Sequence, residues 1–203
     1  MEKFYLEVPT IERKQEAIEF VNEFNEYNSK VNGSGGLDRY VDDYEGWLVK
    51  LEEYLHLTPN KDKVPAVTYF LVRSNDNRIV GMINIRLALN DYLRRGPGHI
   101  GYSIRPTERR KGYNKINLYL GLKVCREHGI DNVLMDANAV NPASWRTMEA
   151  LGGKRVKEWV NEDGNEVYNY EIDTNASLEK YALVYEPLIE ENSHGGSYGE
   201  KHR

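Results

Sequence analysis

The sequence lacks the features that mark secreted, membrane-spanning and disulfide-stabilised proteins. It has one cysteine in 203 residues, which excludes a disulfide within the chain. No apolar run approaches the roughly 18 residues that cross a membrane. The opening MEKFYLEVPTIERK does not have the basic-then-apolar order of a signal peptide. We therefore expect a soluble, cytoplasmic protein. The cysteine, Cys125, falls in an apolar helical pattern and is expected to be a core residue rather than a nucleophile.

An excess of basic residues is also missing. The chain has 27 Lys and Arg against 32 Asp and Glu, a net charge of −5. We therefore expect no partner among nucleic acids and no binding to a membrane. Hydrophobic residues make up 40% of the chain and charged residues 29%, which is typical of a globular domain. The length suits one domain with a short appendage.

The spacing of apolar residues predicts an α/β fold. A strand at residues 4–8 is followed by a helix that Thr10 is placed to cap, a glycine-rich loop and a second helix. The other predicted elements are strands at 68–72, 79–89 and 99–104, a helix at 113–128, a strand at 132–137, a helix at 142–151 and a hairpin at 154–160 and 166–172. Strands 99–104 and 132–137, joined by a helix, are most simply parallel.

A cationic cluster directly precedes the helix at 113–128. In RPTERRKGYNK, Arg109, Arg110 and Lys111 meet Gly112. The free N–H groups and the dipole of a helix start favour an anion such as phosphate, and glycine lets the backbone approach it. The alternative is a solvated basic turn. Neither the G-x-x-x-x-G-K-[ST] loop nor a G-x-G-x-x-G between strand and helix is present.

The stretches HIGYSIRPTERRKGYNK and VLMDANAVNPASWRTMEALGG resemble the GNAT superfamily of N-acetyltransferases, especially a branch of uncharacterised bacterial members. The resemblance implies a domain at 1–173 with a splayed, mostly antiparallel sheet, a central parallel strand pair and flanking helices. It also implies that acetyl-CoA, the co-substrate, lies between the two parallel strands. It implies no metal.

Several residues match the family's cofactor-binding positions. By that resemblance Ser103 and Ile104 would present backbone groups to the pantetheine arm, and Asn141 and Ser144 match an N-x-x-A/S motif. The pyrophosphate loop R-x-x-G-x-G/A falls on Arg109, Arg110, Lys111, Gly112, Tyr113 and Asn114.

Two positions depart from the family pattern. Asn114 stands where glycine or alanine is usual, so its side chain could crowd the pyrophosphate or donate to it. Met148 stands where many members have the tyrosine that protonates the leaving thiolate. These departures motivate an alternative function, a non-catalytic acyl-CoA-binding module.

Four residues are candidates for the chemistry and for acceptor binding. His99 stands where relatives carry a glutamate that takes a proton from the amine, and an imidazole pKa near ~6.5 suits a base; the alternative is a histidine that only hydrogen-bonds across the sheet. Asn84, Arg86 and Asp38 are the candidate substrate-binding residues. Structural roles, as a salt-bridging arginine and a turn residue, are the alternatives for Arg86 and Asp38.

The predicted function is acetyl transfer from acetyl-CoA to a primary amine, by direct attack of the amine on the thioester. We expect a small-molecule acceptor and a homodimer. Beyond the family pattern, residues 174–193 form a predicted helical extension that needs an apolar surface, on its own domain or on a partner subunit. Residues 194–203 are expected to be a flexible tail.

Overall fold

The computed structural model describes residues 2–190, which form two antiparallel sheets with flanking helices. The strands are β1 (Phe4–Glu7), β2 (Ala66–Arg73), β3 (Arg78–Arg86), β4 (Ile100–Ile104), β5 (Asn132–Asn138), β6 (Lys154–Val160) and β7 (Glu166–Asp173). The first sheet has the order β1-β2-β3-β4 and the second the order β5-β7-β6. The predicted strands all form, with the largest shift at the end of β3.

The helices are α1 (Lys14–Glu26), α2 (Tyr44–Leu55), α3 (Asp91–Arg95), α4 (Tyr113–Glu127), α5 (Pro142–Ala150) and α6 (Thr174–Tyr185). The sequence did not predict the short α3, which Asn90 caps by accepting the N–H of Leu93. The predicted cap at Thr10 is wrong. Its side chain makes no capping hydrogen bond, because a 3-10 turn at Ile11–Arg13 separates it from α1.

The first sheet lies between two helical layers. The apolar residues of β2 and β3 alternate between the two faces, as the pleat of a strand requires. On one face Phe70, Val72 and Met82 pack against α1 and α2, and on the other Leu71, Ile83 and Ile85 pack against α4. Because α4 is covered nearly all round, Cys125 on it is fully buried.

The predicted parallel pair of β4 and β5 does not form a ladder. Every ladder within residues 2–190 is antiparallel. The sheets meet where His99 N–H donates to Leu134 O (2.7 Å) and Leu134 N–H donates to the imidazole Nδ1 of His99 (3.0 Å). An isolated bridge between Gly98 and Met135 lies beside this contact. The His99 side chain thus accepts the Leu134 N–H that a longer ladder between β4 and β5 would need. A cleft lies between these two strands.

The C-terminal extension packs on its own domain as far as the structure describes it. Leu178 and Tyr185 of α6 belong to the same core cluster as α4, and the rings of Tyr119 and Tyr185 lie 5.0 Å apart. Glu190 N–H donates to Phe4 O (2.9 Å), beside β1. The tail predicted at 194–203 lies outside the described residues. Across residues 2–190, none of the helices has the length and apolar character needed to cross a membrane.

Candidate functional site

A cleft of about 680 Å³ opens between β4 and β5, at the N-terminal ends of α4 and α5. Its first wall is the unpaired edge of β4. His99 O accepts a hydrogen bond from β3 (2.8 Å) and Arg105 N–H donates one to β3 (2.9 Å). Because hydrogen-bonded pairs alternate in an antiparallel ladder, the backbone of Ser103 also faces β3. The backbone groups of Tyr102 and Ile104 therefore face the cleft.

The loop before α4 has the conformation of an anion-binding turn. Arg110 (φ +64°) and Gly112 (φ +85°) are both left-handed, and such turns direct successive N–H groups to one side. Gly112 is the N-cap of α4 and supplies no side-chain cap. A Cβ added to Gly112 would meet nothing within 4 Å, so the backbone here is open to the cleft. The loop thus suits a phosphate group.

The three predicted cations of this loop do not act together. Arg109 lies along the rim, where its guanidinium donates to Ser29 Oγ (2.8 Å) and lies 5.1 Å from the ring centre of Phe24. Arg110 also lines the cleft. Lys111 does not line it, because its ammonium is paired with Glu108 (2.7 Å). The lining includes instead a lysine that the sequence reading missed, Lys115 in the first turn of α4.

Glu108 anchors the base of the loop. It is buried and is paired with Arg73 (2.9 Å) as well as with Lys111. Burial alone would raise the pKa of Glu108, but the hydrogen bonds from Lys111 and Arg73 outweigh it and lower that pKa. Tyr113 belongs to the same anchor, since its hydroxyl donates to Glu2 Oε2 (2.8 Å) and accepts from Arg73 (3.2 Å). Tyr113 therefore presents backbone rather than a hydroxyl to the cleft.

Polar side chains connect β4, α4 and α5 across the inner end of the cleft. Tyr102 Oη donates to Ser144 O (3.1 Å), and burial raises the pKa of Tyr102, so this hydroxyl is protonated at neutral pH. Asn114 Nδ2 lies 3.5 Å from Thr147 Oγ1. The Asn114 side chain is thus directed towards α5 rather than across the loop. Asn141 caps α5 by accepting the N–H of Ser144 (3.4 Å).

Two buried oxygens in the lining fit a polar ligand. Ser103 Oγ and Asn114 Oδ1 are buried and have no hydrogen-bond partner within the described part of the chain. Buried polar atoms are nearly always paired. An amide N–H is the kind of group that would pair with these oxygens, whereas a phosphate, which has no donor at neutral pH, would not pair with Asn114 Oδ1. Met148 is 1% exposed and contributes no acid to this lining.

His99 is held in a state that does not suit a base. Because Nδ1 accepts the N–H of Leu134, the proton of the neutral ring lies on Nε2. Burial, with the charges of Arg94 and Arg86, lowers the pKa of His99 to about 4. The geometry favours the role of joining the two sheets. The catalytic role stays a prediction.

This assignment predicts a pH-dependent stability. A histidine whose pKa falls from 6.5 to about 4 on folding contributes stability that is present above pH 6.5 and is lost as the pH falls towards 4. The slope is at most about 1.4 kcal/mol per pH unit. His99→Asn keeps an acceptor near the Nδ1 position but does not titrate. As the pH falls from 6.5 to about 4, the melting temperature of the wild type should therefore fall faster than that of His99→Asn. Parallel curves of melting temperature against pH would contradict this prediction.

The sequence reading missed a carboxylate in the cleft, Asp136 on β5. It is half-buried and lines the wall opposite β4. Burial raises the pKa of Asp136, and the charge of Arg86 only partly opposes this. The signal was present in the sequence, because a charged residue alternates here with the buried Val133, Met135 and Ala137 of a central strand. A carboxylate with a raised pKa in a cleft is a candidate base.

The three predicted substrate residues line a second cavity of about 630 Å³. Asn84 Nδ2 donates to Thr68 Oγ1 (2.9 Å), and Asp38 accepts from Ser34 Oγ (3.0 Å). Arg86 Nη1 donates to Gly98 O (2.9 Å) and lines both cavities, as do Asn32 and Gly33. The two cavities thus adjoin at Arg86. Within residues 2–190, no group of three or more His, Cys, Asp and Glu could hold a metal ion.

Comparison with known proteins gives a family and a fold. A family model described as an acetyltransferase (GNAT) domain matches residues 13–154. No curated protein matches the sequence. A solved protein from Bordetella pertussis, described as a GnaT-family acetyltransferase, has 16% identity and a TM-score of 0.61, covering 84% of this chain and 95% of its own.

Two further solved structures share the fold. An acetyltransferase of the GNAT family from Bacillus anthracis has 15% identity and a TM-score of 0.57, covering 85% of this chain and 96% of its own. A dodecameric spermidine N-acetyltransferase from Vibrio cholerae has 12% identity and a TM-score of 0.60, covering 88% and 98%.

Proposed function

Because the chain belongs to the GNAT acetyltransferase family, we propose that it transfers an acetyl group from acetyl-CoA to the primary amine of a small-molecule acceptor. The observation that carries the proposal is the cleft itself. It joins an open, left-handed loop at the start of α4 to an edge of β4 that pairs with no other strand within residues 2–190, where Ile104 O accepts only from the Arg109 side chain (3.3 Å). Such a cleft suits a ligand with a phosphate at one end and amides along its length.

We assign the binding of acetyl-CoA to named parts of the cleft. The N–H groups around Gly112, with Arg109, Arg110 and Lys115 at the rim, would hold the pyrophosphate. The edge of β4 at Tyr102 and Ile104 would pair with the pantetheine arm, which takes the place of the missing ladder between β4 and β5. Asn141 and Ser144 lie on the other side of the arm, at the start of α5.

The proposed reaction is a direct attack. Asp136 takes a proton from the ammonium of the acceptor, and the neutral amine nitrogen bonds to the thioester carbon. The carbon–sulfur bond then breaks, and the nitrogen loses its second proton to water to give the amide. An N–H on the edge of β4, that of Tyr102 or Ile104, polarises the carbonyl. Because a thiol has a pKa near ~8.5, CoA can leave as the thiolate without a dedicated acid. The buried Met148 cannot supply one.

The proposal is tested by binding and by turnover. Acetyl-CoA should raise the melting temperature, because a ligand that binds only the folded state stabilises it. Incubation with acetyl-CoA and a library of primary amines should then release free CoA thiol. Release of thiol that does not depend on an acceptor, or no release with any of the amines, would contradict acetyl transfer to a small amine.

The alternative is a non-catalytic acyl-CoA-binding module, favoured by the methionine at the acid position. That module would give the same thermal shift but no thiol release above the acceptor-free control, so the two assays separate the functions. The cytoplasmic location and the homodimer stay predictions.

A further inference from the structure

The second cavity is lined by four cations that form no salt bridge within the described part of the chain. Arg39, Lys50, Lys63 and Arg86 all contribute to its wall. None of the four forms an ion pair within residues 2–190, although fourteen such pairs occur elsewhere in that part of the chain. The wall of this cavity thus brings together four cations that no salt bridge holds within the described residues.

Lys50 is at the centre of this group. It extends from α2, is half-buried, and donates to Gly35 O (3.0 Å). Its ammonium lies 5.2 Å and 5.6 Å from the ring centres of Tyr40 and Tyr54. Aromatic faces stabilise a cation only in part. Burial, followed by repulsion from Arg39, lowers the pKa of Lys50, and the charge of Asp38 opposes this only in part. The ammonium is therefore held at a cost that a nearby anion would relieve.

The acidic residues of the wall neutralise the cations only in part. Asp38 and Asp62 are exposed, as are Arg39 and Lys63, and the Asp38 carboxylate also accepts a hydrogen bond from Ser34 Oγ (3.0 Å). Two carboxylates therefore face four cations. The wall thus carries an excess of positive charge, although the chain as a whole carries a net charge of −5. A local field of this kind attracts an anionic ligand.

We infer that the second cavity binds an acidic group of the acceptor, a carboxylate or a phosphate, and that the acceptor is an amine carrying such a group. The inference rests on the proposed function. Arg86 lies where the two cavities adjoin, opposite Asp136. The amine of the acceptor reaches Asp136 in the first cavity, and its acidic group stays beside Lys50, Arg39 and Lys63. A polyamine such as spermidine would meet repulsion here.

The test uses inorganic phosphate and acetate as probes, on the full chain saturated with CoA so that the loop before α4 is occupied. Phosphate, acetate or both should raise the melting temperature by about 2–4 °C over sodium chloride at equal ionic strength. The anion that acts identifies the acidic group. Lys50→Met should lower the affinity for the anion about tenfold or more, and with it the temperature shift, because a hydrogen bond to a charged group is lost. Lys61→Met, an exposed lysine outside the cavity, is the matched control.

The outcomes separate this inference from the proposed function. No rise with either anion, or an equal rise in Lys50→Met, overturns the anion site even if CoA binds. Loss of the CoA shift overturns the proposed function, while the difference between wild type and Lys50→Met still reports on the second cavity. In turnover, kcat/KM should be higher for O-phosphoethanolamine than for ethanolamine, or higher for β-alanine than for its amide. A higher kcat/KM for spermidine than for these acids would also overturn the inference.

Discussion

Replacement of Gly112 by valine should reduce the affinity for acetyl-CoA by about 10²-fold or more, whereas Gly129→Val should leave it unchanged. The two glycines are at opposite ends of α4 and share a left-handed backbone, with φ of +85° and +70°. Both are exposed, and a Cβ at either would meet nothing within 4 Å. Placing a side chain on this left-handed backbone costs about 1–2 kcal/mol, and this cost is therefore common to both variants.

Only Gly112 lines the cleft, so only there would a side chain displace the phosphate from the N–H groups. Two hydrogen bonds to a charged group contribute about 1.5–3 kcal/mol each, which accounts for the expected loss. Calorimetric titration of folded protein with acetyl-CoA measures it, and the melting temperature of the free protein shows whether the strain is matched. Equal affinities in the two variants would place the pyrophosphate elsewhere.

Asp136→Asn should lower kcat/KM at neutral pH by about 10²-fold, the usual contribution of a base. The loss should shrink at high pH, where more of the amine arrives neutral. Because the pKa of Asp136 is raised, kcat/KM of the wild type should begin to rise at a higher pH than it would with an ordinary carboxylate as the base. Affinity for acetyl-CoA should stay the same, since the pyrophosphate loop is untouched.

Stability gives an independent readout for Asp136. When folding raises the pKa of a carboxyl, the protein loses stability as the pH rises from the unfolded pKa through the folded pKa, so the folded state carries a cost at neutral pH. Asparagine removes the charge, and Asp136→Asn should melt no lower than the wild type. Asp136→Glu should recover part of the activity. An asparagine variant with wild-type kcat/KM would show that the proton leaves by another route.

The strands and α4 could be predicted because their signals are local. Short apolar runs rich in β-branched and aromatic residues determine β2 and β3, and the cation–glycine pattern marks the start of α4 at Tyr113. The relation between β4 and β5 could not be predicted in this way. It depends on which atom accepts the N–H of Leu134, and an imidazole nitrogen does so in place of a backbone oxygen. Nothing in the spacing of the strands distinguishes these acceptors.

The position of the loop before α4 could be predicted, but the prediction that the backbone of Ser103 faces the cleft is wrong, because the pairing of β4 turns it towards β3. Gly112, Arg109 and Arg110 line the cleft as the loop pattern suggested. The pattern could not separate Lys111 from Lys115, since the difference arises from Glu108, which holds Lys111 away from the cleft. Such pairings depend on tertiary contacts.

The single thiol of the chain has a practical consequence for enzymology. Cys125 is fully buried in α4, and burial raises the pKa of its thiol to about 12. It is almost entirely un-ionised at assay pH, and only the thiolate reacts quickly with disulfide reagents. In a colorimetric titration of thiols the folded enzyme is therefore nearly silent, and the signal counts turnovers of CoA. For the same reason Cys125 does not suit a covalent acetyl carrier, which agrees with the proposed direct attack of the amine on acetyl-CoA.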